Sequence, residues 1–186
     1  MSKNIFNHKC EMSSLSINVP IRKSLIASLD QNINRSIVVI GLNPSKANDV
    51  ESDNTVTRLE KYFLKEGYGE MILYNIFQNY STDPIGICEQ TATDFLDTDI
   101  QKQLSKADKI VLAYGTEIKY EKYIKKCLNA IEKYRDKLYC FCKDDNECVR
   151  PRHPSRMGQN WRLRECNYEE AISLFNKAVG INYENR

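Results

Sequence analysis

The spacing of apolar and polar positions divides the chain into two kinds of segment. Four short runs are apolar at nearly every position: Ser36–Leu42 (SIVVIGL), Glu70–Ile76 (EMILYNI), Asp108–Tyr114 (DKIVLAY) and Lys137–Cys142 (KLYCFC). Runs of this length without polar alternation predict strands covered on both faces. Between them the period lengthens. Thr55–Glu66 has a capping Asp53 or Asn54 ahead of it and Gly67 at its end, the punctuation of a helix. Glu117–Tyr134 carries Ile118, Tyr123, Ile124, Cys127, Leu128 and Ile131 at i, i+3 and i+4 spacings, an amphipathic stripe. Tyr168–Val179 repeats that pattern with Ala171, Ile172, Leu174, Phe175 and Ala178, and shorter helices are predicted over Thr98–Ser105 and Ile21–Leu29.

Strands alternating with helices predict an α/β fold, a three-layer α/β/α sandwich around a central, mainly parallel four-stranded sheet. No linker or repeat divides the 186 residues, so one domain is expected over 1–186, with 1–20 as an N-terminal extension of unassigned structure. In such sheets ligands gather beyond the carboxyl ends of the strands. The segments leaving those ends are NPSKAN, NIFQNYSTDP, YGTE and the loop leading to RPRHPS.

Charge sharpens this picture. The net charge is only +2, yet Val149 to Arg164 holds five arginines and no acid, so the remainder sums to −3. A basic stripe on a near-neutral chain suits a polyanion bound at one place, although a solvated loop has the same composition. No apolar run is long enough to span a bilayer and the N-terminus lacks an apolar signal core, so a cytoplasmic location and no membrane partner are expected. Seven cysteines without such a signal argue for reduced thiols. Cys140, Cys142 and Cys148 lack paired CxxC knuckles and read as buried or idle thiols. Asp49, Glu51 and Asp53 could hold Mg²⁺, but an acidic helix lead-in has the same spacing, and no metal is expected. GxGxxG and GxxxxGK[ST] are both missing, and no cofactor is called for.

Four signals stand in order: GLNPS after the first strand, Asn75 closing the second, Tyr114-Gly115 closing the third, and His153-Pro154-Ser155 after the fourth. This order resembles the uracil-DNA glycosylase superfamily. The segments GLNPSKA, DNTVTR and HPS also look like a bacterial and phage family suspected to be a divergent branch of that fold. The resemblance implies a metal-free, monofunctional, monomeric DNA glycosylase that flips a base from DNA and hydrolyses its N-glycosidic bond. Such a reaction develops positive charge on the sugar and negative charge on the departing base, so placement of dipoles matters more than strong base chemistry. Asn43 would orient the attacking water, and His153 would donate to the base oxygen. Asn75 would read the pyrimidine edge in a pocket shared with Gly41, Leu42 and Ser45. Ser155, Arg156, Met157, Arg152, Arg162 and Arg164 would contact DNA, with Met157 filling the gap left by the flipped base.

Two departures from the family pattern bear on the substrate. Ser45 stands where the uracil-specific branch has a tyrosine, which opens space at C5, so a 5-substituted pyrimidine is expected, phage hypermodified bases included. Tyr114 stands where a tryptophan is usual, a change in a packing position. Plainer readings stay open beside these: Asn43 as an Asx turn before Pro44, His153 as a strand-exit residue, Asn75 as a strand-end turn residue and Met157 as a loop residue tucked on the core. An enzyme hydrolysing or transferring the base of a free nucleoside or nucleotide, or a non-catalytic binder of modified bases or nucleotides, would use the same pocket.

Overall fold

The computed structural model describes residues 2–3, 6–14, 20–44, 51–80, 89–115, 118–143, 150–156, 158 and 160–179. Among the described residues, nine strands and four α-helices run in the order β1 (Ser2–Lys3), β2 (Asn7–Ser14), β3 (Pro20–Ser28), β4 (Ser36–Gly41), β5 (Glu51–Ser52), α1 (Asn54–Lys65), β6 (Glu70–Asn75), α2 (Thr98–Lys106), β7 (Lys109–Leu112), α3 (Glu121–Ile131), β8 (Leu138–Cys142), β9 (Arg162–Glu165) and α4 (Tyr168–Val179). Seven strands form one sheet in the order β2-β3-β6-β4-β7-β8-β9, and β1 pairs with β5 separately.

This corrects the expected architecture. The sheet is seven-stranded and mixed, in place of a four-stranded, mainly parallel sheet of an α/β/α sandwich. β6, β4, β7 and β8 run parallel, while β3 joins β6, β2 joins β3 and β9 joins β8 in antiparallel fashion. The segment Ile21–Leu29, expected as a helix, is strand β3. Residues 7–14 of the supposed extension pair along it, and the arginine-rich stretch after the fourth run supplies the edge strand β9.

The misreading of β3 has a local cause. Glu11 pairs with Ser24 and Met12 with Arg22, so the ladder skips Lys23. An extra residue of this kind inverts the side-chain alternation of a strand. Ile21 and Leu25 therefore fall on opposite faces although both are buried, and Arg22 falls on the same face as Leu25 and Ala27.

The core follows from period two. Val38, Ile40, Ile72, Tyr74, Ile110 and Leu112 point to one face, where α2, α3 and α4 cover them with Leu104, Ile124, Leu128 and Ala171. Ile37, Val39, Leu73, Val111 and Phe141 point to the other, under Val56, Leu59 and Phe63 of α1. Each large apolar side chain so buried contributes roughly 1.5–3 kcal/mol. Strand β2 is tied to α1 by the buried pair His8–Glu60. Among the described residues no helix is long and apolar enough to cross a membrane.

Candidate functional site

At the carboxyl ends of β4 and β6 a cavity of about 50 Å³ is lined by Gly41, Leu42, Asn43, Asn75, His153 and Pro154, by Arg22, and by residues of α1 and the strands. Its inner walls are the apolar Val39, Val56, Leu59, Leu73 and Ala113. Asn75 and Arg22 are 3% and 1% exposed, whereas Asn43 and His153 are half-buried and form its mouth.

Local geometry explains how each polar group is held. Gly41 and Asn75 are direct partners on parallel strands. A Cβ added at Gly41 would lie 2.7 Å from Asn75 Oδ1, so the glycine provides the space in which that amide sits. The Asn75 carbonyl accepts from Thr93 Oγ1 at 2.5 Å. Its buried Nδ2 meets no hydrogen-bond acceptor among the described residues. A buried donor left in that state costs about 1–3 kcal/mol, which a ligand acceptor would recover. Asn43 Nδ2 donates to the carbonyl of Pro44 at 3.3 Å, which fixes the plane of the amide and hence the direction of Oδ1.

His153 is held by its own loop. The Ser155 backbone N–H donates to His153 Nδ1 at 3.2 Å, and Ser155 Oγ lies 2.8 Å from the same nitrogen. An amide N–H can only donate, so Nδ1 accepts, and the neutral ring carries its proton on Nε2. The loop is anchored on α1, where Arg58 Nη1 donates to the Ser155 carbonyl at 2.9 Å. One turn later, Tyr62 Oη accepts from Leu163 N at 3.1 Å. Burial pushes the Tyr62 phenol up to about 12, with Glu66 adding to the effect. α1 itself is capped by Asp53, whose Oδ1 accepts from the N–H groups of Thr55 and Val56 at 2.7 and 2.8 Å.

The structure therefore brings Gly41, Leu42, Asn43, Asn75 and His153 to one cavity. Ser155 stands beside it as the orienter of His153. Arg152 is half-buried, with its guanidinium 5.6 Å from the centre of the Trp161 ring. Arg162 is exposed on β9 opposite Cys142, at the carboxyl end of β8. Arg164 lines a different, open groove of about 980 Å³ with Lys109, Arg135 and Tyr139, at the amino ends of the parallel strands. It is not part of the pocket. Arg156 belongs to a short 3-10 turn, Pro154–Arg156, whereas Ser45 and Met157 lie outside the described residues, as do Asp49, Cys88 and Cys148. Among the described residues, Cys10, Cys127, Cys140, Cys142 and Cys166 form no disulfide with one another. Among the described residues no group of three or more His, Cys, Asp or Glu is arranged to hold a metal ion.

Arg22 and Arg58 are absent from the sequence reading. Arg22 is displaced onto the pocket face by the skipped pairing at Lys23, and Arg58 is one of several basic positions on a helix. Neither carries a local signal.

A family model described as Protein of unknown function (DUF1643) matches residues 22–155, which run from Arg22 through the His153 loop. No curated protein matches the chain. The chain belongs to the DUF1643 family.

Proposed function

For a member of this family we propose a DNA glycosylase that hydrolyses the N-glycosidic bond of a 5-substituted pyrimidine, in repair or in defence against phage DNA. The observation that carries this reading is the convergence of Asn43, Asn75 and His153 on one cavity, although His153 lies 110 residues after Asn43. In this reading Asn43 directs the water through Oδ1, an acceptor that takes no proton at ordinary pH. His153, neutral and protonated on Nε2, donates to the base oxygen as negative charge builds. Asn75 Nδ2 finds in the base the acceptor that the protein does not supply.

A cavity of about 50 Å³ has room for a water molecule or two, not for a pyrimidine. Base entry therefore requires the mouth, formed by the half-buried Asn43 and His153, to open. An opening step of this kind is common in enzymes that exclude water during reaction.

One observation favours a second reading, an N-glycosidase of free nucleosides. Arg164 faces the far groove, so the arginines do not form a single track leading to the cavity. Incubation with modified-pyrimidine DNA and with the matching nucleosides separates the two. A DNA glycosylase leaves alkali-labile abasic sites and spares the nucleosides. Base released from nucleosides alone would replace the DNA reading with the second one, and release from neither would sink both.

A further inference from the structure

The floor of the cavity differs from its mouth in kind. Arg22 comes from β3, a strand flanked on both sides, and is 1% exposed. Desolvation by burial lowers its pKa from the usual guanidinium value, and Tyr80, Cys10 and Asp53 are the groups that oppose this. Asp53 is already engaged with the first turn of α1. A guanidinium has five N–H donors in a planar fork, enough to serve a carboxylate and a ligand together. Lining the same cavity, Asn75 Nδ2 is a buried donor with no acceptor among the described residues. Around both lie Val39, Leu73, Val56 and Leu59, which contribute no polar side-chain atoms. Two kinds of N–H donor, one of them cationic, thus converge in a largely apolar chamber.

From this geometry we infer that Arg22 and Asn75 form a binding floor for the anionic form of a pyrimidine ring. The inference deepens the proposed reaction and rests on it for the choice of pyrimidine. When the C1′–N1 bond breaks, its electron pair stays on the ring and spreads onto the ring oxygens. The water oxygen bonds to C1′, one water proton passes to solvent, and the base takes up a proton only after leaving. A fixed cation at the floor stabilises that departing anion more than the neutral base in the intact nucleotide. This compensates for Asn43, which has no negative charge to stabilise the sugar cation.

The test is equilibrium binding of free 5-fluorouracil and thymine to the whole chain, as pH is raised through the ionisation of 5-fluorouracil. The fluoro compound has the more acidic ring N–H. On ionising it is expected to gain about ten-fold in affinity while thymine stays level, the gain typical of a charge-assisted hydrogen bond. Comparing the two bases at each pH removes any titration of Asp53, Tyr80, Cys10 or His153. Arg22→Gln should abolish the gain, and Arg22→Lys should keep most of it. An affinity for 5-fluorouracil that is flat, falling or undetectable in the unaltered chain overturns the inference, whether or not the variants fold. So does a gain that survives Arg22→Gln, or one that inorganic phosphate removes by competing equally well. Binding of the fluorouracil anion by a chain that releases no base from DNA would uphold this floor and sink the glycosylase reading. Base release without any preference for the anion would do the reverse.

Discussion

Two hollows lie at opposite ends of the parallel part of the sheet, one over β4 and β6 and the other by β7 and β8, and they are built on different principles. The one at the amino ends is large, about 980 Å³, and its wall mixes Lys109, Arg135 and Arg164 with Asp136, Glu165 and Glu169. The one at the carboxyl ends is about 50 Å³, with apolar walls and a few polar groups brought in from distant parts of the chain. Size alone would select the first. Chemistry selects the second, because a buried Asn75 donor without an acceptor among the described residues and a ring held in one tautomer are features that solvation and packing do not require. The balanced charges of the large groove are those of ordinary surface.

Substitutions at the two ends give the sharpest contrast. Asn43→Ala and His153→Ala should each lower single-turnover base release by about 10²- to 10³-fold, the usual cost of one pre-placed group, with unfolding midpoints little changed. Arg164→Ala should change that rate by no more than about two-fold, as a screened surface position does. A comparable loss at Arg164 would break the distinction between the two ends.

Gly41→Ala tests whether the cavity depends on the seat of Asn75. The new Cβ would sit 2.7 Å from Oδ1, so the amide must rotate or the strands must part. Base release should fall about ten-fold or more, and stability should drop by roughly 1–3 kcal/mol, the cost of overpacking. Full activity in Gly41→Ala would show that the Asn75 amide is not used. Arg58→Ala is milder. It removes the bond to the Ser155 carbonyl that fastens the His153 loop to α1. A loss of stability near 1 kcal/mol or less is expected in chemical denaturation, with a larger proportional loss in base release.

The smallest effect concerns pH. Burial holds the Tyr62 phenol at about 12 in the fold, above its ordinary value of 10.0, and Tyr74 is raised likewise to about 12. Between those values the unfolded chain has lost protons that the folded chain keeps, so stability falls as pH rises from about 10 to about 12. Below that window these two groups contribute no pH dependence. Ultraviolet titration of the phenols alongside denaturation should show Tyr62→Phe flattening part of this fall.

Much of this organisation is legible in the sequence. Asn43 and Asn75 sit where unbroken apolar runs end, and His153 follows the run that becomes β8, so a motif and a strand mark each of them. α1 shows itself by Asp53 ahead and Gly67 behind. What escapes is set by tertiary pairing. β3 reads as a helix because its apolar Ile21, Leu25 and Ile26 do not alternate, the period of two being broken where the ladder skips Lys23. β2 and β9 are sheet additions with polar alternation, hard to distinguish from loops by composition. Arg22 shares their fate: an arginine in IRKSLIA looks like a solvated helix position until a neighbouring strand turns it inward. The motif thus marks the mouth of the site, and only the fold shows its floor.

The most direct test of the central claim is mass spectrometry of the base freed from DNA carrying 5-substituted pyrimidines, by the unaltered chain and by Asn43→Ala. The account predicts release of intact modified pyrimidine, with an equal yield of abasic sites, reduced at least about 10²-fold in the variant. Intact DNA after prolonged incubation with every such substrate, or release that Asn43→Ala leaves unchanged, would contradict it.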